Sequence, residues 1–188
     1  MNYIPINSTI LNAHHTDCWA YFCYLRYSTT HTYCSFTPNS IRIKLTLAAD
    51  GPSAEARRYA DMGRTAWTEH KKNWETEQLL IIDTPTTMMP HHVFDLIYEK
   101  IITLPKRSRG PYLRLYLHMY YYCHYHRNDY RTSIEELCAT LGSNTSLVCT
   151  MIQFFIDAGL LRRMGKYNPY AGLSYRYFIP IELESDIR

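Results

Sequence analysis

The chain has 188 residues, 46% of them hydrophobic, and a formal net charge of +3 with its nine histidines counted as neutral. That length fits one large domain or two small ones, and the composition excludes a disordered chain. No apolar run approaches the roughly 20 residues of a membrane-spanning helix, and the mildly basic balance permits a nucleic-acid partner without demanding one.

The opening "MNYIPINSTILNAHH" has no basic region followed by an apolar one, so no signal peptide is expected. A cytoplasmic protein with six reduced cysteines follows, and none of them forms CxxC. Tyrosine is abundant, with 18 residues against six phenylalanines, which suits half-buried faces where the ring packs and the hydroxyl stays wet. "CWAYFCYLRYS" is a long helix. Asp50, Gly51, Pro52 and Ser53 make a turn and a cap, and from Ala54 the composition favours helix. Ala56, Tyr59, Gly63, Trp67, His70 and Trp74 fall on one face of it. Arg57, Arg64 and Lys71 recur every seven residues as a neighbouring stripe, with Arg58 and Lys72 near it. Such a stripe would neutralise phosphates. Glu55, Asp61, Glu69 and Glu75 are interleaved, as on an ordinary solvated face, and Gly63 is a candidate break.

"MMPHHVFDLIYEKIITLPKRSRGP", roughly 88 to 111, reads as a connector. Its "KRSRG" is the most basic short run, suited to a DNA backbone or to a solvated loop. Pro111 is a good first helical residue. The following "YLRLYLHMYYYCHYH" is apolar on nearly every side, as a central helix should be.

The richest stretch is "TSIEELCATLGSNTSLVCTMIQFFIDAGLLRR", residues 132 to 163. Thr132 or Ser133 can cap a helix, and Glu135 or Glu136 can complete a capping box. That helix buries Ile134, Leu137 and Leu141. Gly142 breaks it, and Asn144 or Ser143 caps the next. There Val148, Ile152 and Phe155 share one face at i, i+4 and i+7. The opposite face carries Thr145, Cys149 and Gln153, with Ser146 and Thr150 beside them. These are short polar groups able to bond phosphates and base edges. Gly159 ends the helix in a left-handed residue, and "LLRRM" leaves as a strand. "LLRRMGKYNPYAGLSYRYFIPI" is a hairpin turned by Gly165, Asn168, Pro169 and Gly172 and decorated by Arg162, Arg163, Lys166 and Arg176.

Helix, helix, turn, helix, hairpin: over about residues 108 to 181 this order resembles a winged helix-turn-helix domain. The resemblance includes the turn glycine and the Ala-Gly-Leu-Leu exit. It departs from the family in having no Lys or Arg between 143 and 158, and in placing Phe154 on an outer side. Upstream, "IPINSTIL" (4–11) matches "LIYEKIIT" (96–103), and "WAYFCYLRYS" matches "YLRLYLHMYY". "TPNSIRIKL" matches "RTSIEEL", and "ETEQLLII" matches "IDAGLLRR". The offset is about 92 residues, falling to 81 at the last match. The expected fold is therefore mainly α with small β-hairpin wings, an α+β protein of two winged helix-turn-helix domains in tandem, at 1–95 and 96–188.

The first copy, with "IPINSTIL" and "CWAYFCYLRYS", resembles the N-terminal module of plasmid and phage replication initiators and helicase loaders. The resemblance implies a DNA-binding protein of a bacterial mobile element, often a dimer, acting in replication initiation or transcriptional control. Its partners would be double-stranded DNA, and a homodimer mate or a replication or transcription protein, with no membrane. Binding would rest on Arg57, Arg58, Arg64, Lys71 and Lys72 in the first copy. In the second it would rest on Thr145, Ser146, Thr150, Gln153, Arg162, Arg163, Lys166 and Arg176. The competing expectation is a protein-interaction scaffold, with Phe154, Tyr167 and Tyr170 as contacts. No P-loop, GxGxxG, GxSxG or HExxH occurs, so neither an enzyme nor a cofactor is expected. His31, Cys34, Cys123 and His126 could in principle hold zinc. They belong to different copies and lack zinc-finger spacing, so half-buried histidines and inert thiols are expected instead.

Overall fold

A computed structural model describes residues 3–7, 11, 18–28, 33–37, 40–44, 50–76, 81–82, 86–165, 174–180 and 183. The protein is mainly helical with small antiparallel sheets, an α+β chain. It divides into two compact units, Met1–Leu113 and Arg114–Arg188. Among the described residues no helix is long and apolar enough to cross a membrane.

The first unit begins with β1 (Tyr3–Asn7), which pairs antiparallel with β5 (Thr86–Pro90) from Tyr3↔Pro90 to Asn7↔Thr86. Ile4 and Ile6 are buried at the two-residue period of a strand. Helix α1 (Cys18–Ser28) buries every residue from Cys18 to Leu25, so it is the unit's central helix. The hairpin of β2 (Tyr33–Thr37) and β3 (Ser40–Lys44) follows, and β3 also pairs with β4 (Ile81–Ile82). Between β3 and β4 lie two helices, α2 (Asp50–Tyr59) and α3 (Arg64–Thr76), and α1 packs against both. Helix α4 (His91–Ile101) closes the unit, burying Val93, Phe94, Ile97 and Ile101.

A polar network ties α1, α2 and α4. Arg26 donates from Nε and Nη2 to the two oxygens of Asp95, both at 2.8 Å, and Tyr59 donates to the same carboxylate at 3.0 Å. Burial alone would raise the Asp95 carboxyl, but Arg26, with the Tyr59 hydrogen bond, outweighs it and holds the group below the usual carboxylate range. The Tyr59 and Tyr98 rings stack at 3.7 Å. Burial, helped by Arg26, lowers the His91 imidazole to about 4.

Helix α5 (Lys106–Tyr125) starts five residues before Pro111, so "KRSRG" is its first turn and not a loop. Buried Arg109 steadies that turn, donating to the Leu104 and Ile102 carbonyls at 3.1 and 2.9 Å and to Asp61 at 3.0 Å. The connector expected at 88–111 is likewise no linker. It contributes strand β5 and helix α4, whose apolar stripe completes the first core.

The second unit contains the rest of α5, then β6 (Tyr130–Ser133), α6 (Ile134–Leu141), α7 (Thr145–Asp157), β7 (Arg162–Gly165) and β8 (Ser174–Phe178). Its sheet runs β6–β8–β7, antiparallel throughout. Its core gathers Leu115, Tyr116, Met119, Leu137, Val148, Ile152, Phe155 and Tyr177.

Two of the four matched pairs agree in secondary structure. "WAYFCYLRYS" and "YLRLYLHMYY" are both helical, and the described ends of "ETEQLLII", like those of "IDAGLLRR", are helix and then strand. "IPINSTIL", however, contributes strand β1 where "LIYEKIIT" lies in helix α4. "TPNSIRIKL" contributes β3 where "RTSIEEL" turns into α6. The alternation of Ile41 and Ile43 with Arg42 and Lys44 is a strand period and prevails over the match.

Candidate nucleic-acid interface

In the second unit, local chemistry sets the two short helices. Ser133 caps α6, its hydroxyl accepting from the Glu136 amide at 3.1 Å, while the Glu136 carboxylate accepts from the Ser133 amide at 2.8 Å. Thr132 donates to the same carboxylate at 2.9 Å, and these bonds, the Ser133 amide first, hold Glu136 below the usual carboxylate range. The helix ends at Gly142, whose φ of 62° is left-handed. Buried Arg114 donates to the terminal carbonyls of Leu141 and Thr140 at 3.0 and 3.4 Å. Asn144 then caps α7, accepting from the Leu147 amide at 2.9 Å.

Helix α7 is sharply two-sided. Val148, Met151, Ile152 and Phe155 are buried, with the Phe155 ring 4.9 Å from that of Tyr116. Thr145, Ser146, Cys149, Thr150 and Gln153 are all exposed, as the helical period predicts. Thr150 donates its hydroxyl to the Ser146 carbonyl at 2.8 Å, which leaves its oxygen to accept. Gln153 donates to Asp157 at 2.7 Å. Phe154 is half-buried, edge-on to Phe155 at 5.2 Å. The first turn of α7 holds no acid. From Ile134 to Asp157 the acids are Glu135, Glu136 and Asp157 and there is no Lys, Arg or His, so the two helices carry −3.

The cations come immediately afterwards. All four residues of edge strand β7 are exposed, Arg162 and Arg163 among them. The Arg163 guanidinium lies 4.9 Å from the Tyr175 ring centroid. Gly165 is opposite Tyr175 in the register, and a methyl group on Gly165 would collide with that ring. Arg176 is engaged differently. It donates to both oxygens of Asp129 at 2.8 Å, and Arg131 reaches that carboxylate at 3.5 Å. Lys166, Tyr167 and Tyr170 lie outside the described residues.

The first unit also has a helix, a short turn and a helix, α2 and α3. The sequence places Arg57, Arg64 and Lys71 in a stripe along a helical stretch with Gly63 as a candidate break. The chain does break there, over Ala60–Gly63, where Asp61 adopts a left-handed φ of 54°. Asp61 is held by Arg109 at 3.0 Å and Lys106 at 3.1 Å, which keep its carboxyl below the ordinary range. Arg57 is half-buried and donates to the Met62 carbonyl within that turn, at 3.3 Å. Arg58, Arg64 and Lys72 are exposed. The Lys71 side chain lies outside the described residues. Thr65 and Thr68, which the sequence reading does not single out, share the exposed face of α3 with Arg64, Glu69 and Lys72. Their i, i+1, i+4, i+5, i+8 spacing was the available signal.

Of the four zinc candidates, His31 and the Cys34 side chain lie outside the described residues. Cys123 is buried, donates to the Tyr177 carbonyl at 3.4 Å, and has its thiol pushed up to about 12, mainly by burial. His126 stacks on Tyr130. Among the described residues no cluster of three or more His, Cys, Asp or Glu could hold a metal. Cys18, Cys23, Cys123, Cys138 and Cys149 are free thiols. Comparison of the chain with protein-family models, with curated proteins and with solved structures gives no match in any of the three.

Proposed function

We propose that the chain is a duplex-DNA-binding protein whose second unit is a winged helix, β7 and β8 forming the wing. The first unit would present α2 and α3 as a helix-turn-helix. The observation that carries this reading is the order α5–β6–α6–α7–β7–β8 with its β6–β8–β7 sheet. That order leaves the polar face of α7 and the arginines of β7 exposed together. In this reading α7 enters a major groove. Its acid-free first turn turns the positive end of the helix towards phosphate. Thr145, Ser146, Thr150 and Gln153 meet base edges, and Arg162 and Arg163 meet the backbone. Arg176 contributes less, because Asp129 already holds it. In the first unit Arg64, Thr65, Thr68 and Lys72 are the contact face, with Arg58 on phosphate. Replication initiation and transcriptional control both fit such a protein.

A second reading is favoured by one observation: the −3 charge of residues 134–157, with Leu147 37% exposed on α7. In that reading α7 docks on a protein subunit. Titrating a labelled duplex of mixed sequence with the full chain separates the two. Binding at low salt that weakens linearly with the logarithm of salt supports the DNA reading. No binding to any duplex at low salt supports the protein reading.

A further inference from the structure

The end of α5 carries two rows of aromatic rings. His118, Tyr122 and His126 stand at i, i+4 and i+8, and Tyr121 and Tyr125 form the neighbouring row. Tyr130 from β6 lies nearly parallel to Tyr122, at 5.1 Å and 22°, and to His126, at 5.8 Å and 13°. The rows meet edge to face, at 86° between Tyr121 and Tyr122 and 83° between Tyr125 and His126. Tyr125 is 64% exposed, His126 is exposed, and Tyr122 and Tyr130 are half-buried. Tyr125 also stacks on Tyr121, with centroids 6.3 Å apart and 16° between the rings, and leaves most of its side chain to solvent.

The patch is held in shape. Asn128, at a left-handed φ of 60°, clamps the end of β8. It donates to the Ile179 carbonyl at 2.8 Å and accepts from its amide at 2.7 Å. That clamp fixes the short turn that delivers Tyr130. The patch is also flanked by positive charge, because Arg127 and Arg131 are exposed, Arg131 reaching the Asp129 carboxylate at 3.5 Å. The nearby acids are already engaged: Asp129 by Arg176 on both oxygens, and Glu136 by the Ser133 amide and the Thr132 hydroxyl. Ring faces that stack, beside guanidinium groups that meet phosphate, are the chemistry that binds unpaired bases.

We infer that this surface binds single-stranded DNA, with a base stacked on Tyr125 and the adjoining backbone on Arg127 first, and on Arg131 less because Asp129 also draws it. The choice of DNA over RNA rests on the duplex-binding reading above; the stacking site itself is separate from α7 and β7. The strand is bound by its ring faces without regard to sequence, as suits a protein that must hold DNA once its strands part.

The test is fluorescence anisotropy of the full chain with labelled dT20, an abasic strand of the same length, rU20 and a duplex. Wild type binds dT20 and loses affinity on the abasic strand. Tyr125→Ala weakens dT20 binding by about 5- to 150-fold, the range for loss of one stacked base. It leaves duplex binding unchanged, and Tyr125→Trp restores the strand. Circular dichroism of Tyr125→Ala confirms that this exposed substitution keeps the fold. The inference is overturned by absent dT20 binding, by equal affinity for the abasic strand, by equal losses on strand and duplex, or by preference for rU20. Retained dT20 binding without duplex binding would instead sink the duplex-binding reading alone.

Discussion

Both units contain two short helices joined by a tight turn, and the two turns are closed by different chemistry. Between α6 and α7 the solution is local: a capping box, a left-handed glycine and an asparagine cap, all within twelve residues. Between α2 and α3 a left-handed aspartate takes the glycine's place, and the groups that hold it, Lys106 and Arg109, come from more than forty residues away. The charges differ as well. Residues 50–76 carry Asp50, Glu55, Asp61, Glu69 and Glu75 against Arg57, Arg58, Arg64, Lys71 and Lys72, which sums to zero, where residues 134–157 sum to −3. The first pair therefore keeps its cations on the helices. The second has none on its helices, and its nearest following cations, Arg162 and Arg163, lie on the strand that follows.

The comparison breaks most sharply in the cores. Phe155→Ala removes a fully buried ring of the second unit and should cost about 3–5 kcal/mol in urea unfolding. A cost below about 1 kcal/mol would mean that α7 is not seated on α5 as described.

Next comes pH, where each unit contributes one histidine. His91 and His118 are lowered to about 4, first by burial and then by Arg26 and Arg114 respectively. Their unfolded counterparts protonate near 6.5, so the unfolded state binds more protons between those values. Stability should therefore fall as pH drops from about 6.5 to about 4, on the order of 2–3 kcal/mol for His118 and less for the more exposed His91. His118→Gln should flatten that slope. An unaltered slope in the variant would remove His118 from the account.

The turns give the smaller effects. Gly142→Ala places a side chain at φ 62° and should cost about 1–2 kcal/mol. Gly63 has open space around it and no positive φ. It immediately precedes α3, so Gly63→Ser should add a cap and raise stability by about 0.5 kcal/mol. A loss at Gly63 as large as that at Gly142 would show that the two turns are closed alike.

How much was legible follows the range of the interactions. The second unit's helices, caps, turn glycine and exposed polar face are written in signals three or four residues apart, and these were read from the sequence. The first unit depends on pairings such as Tyr3 with Pro90 and on Asp95 with Arg26, which no local period announces. The repeat match misled for the same reason: helix α4 and strand β1 have similar apolar content, and only their spacing differs. At the candidate site, the exposure of Thr145, Ser146, Thr150 and Gln153 was legible. The engagement of Arg176 by Asp129, and of Arg57 by the α2–α3 turn, was not, because each needs the folded backbone to bring the partners together.

The central claim, that the exposed arginines of β7 meet DNA phosphates, is tested most directly by the salt dependence of duplex binding. Measured for wild type and for the double variant Arg162→Ala with Arg163→Ala, the slope of log affinity against log salt should become shallower by about 2, one per lost phosphate contact. An unchanged slope in the double variant, or a wild type that binds no duplex at low salt, would contradict it.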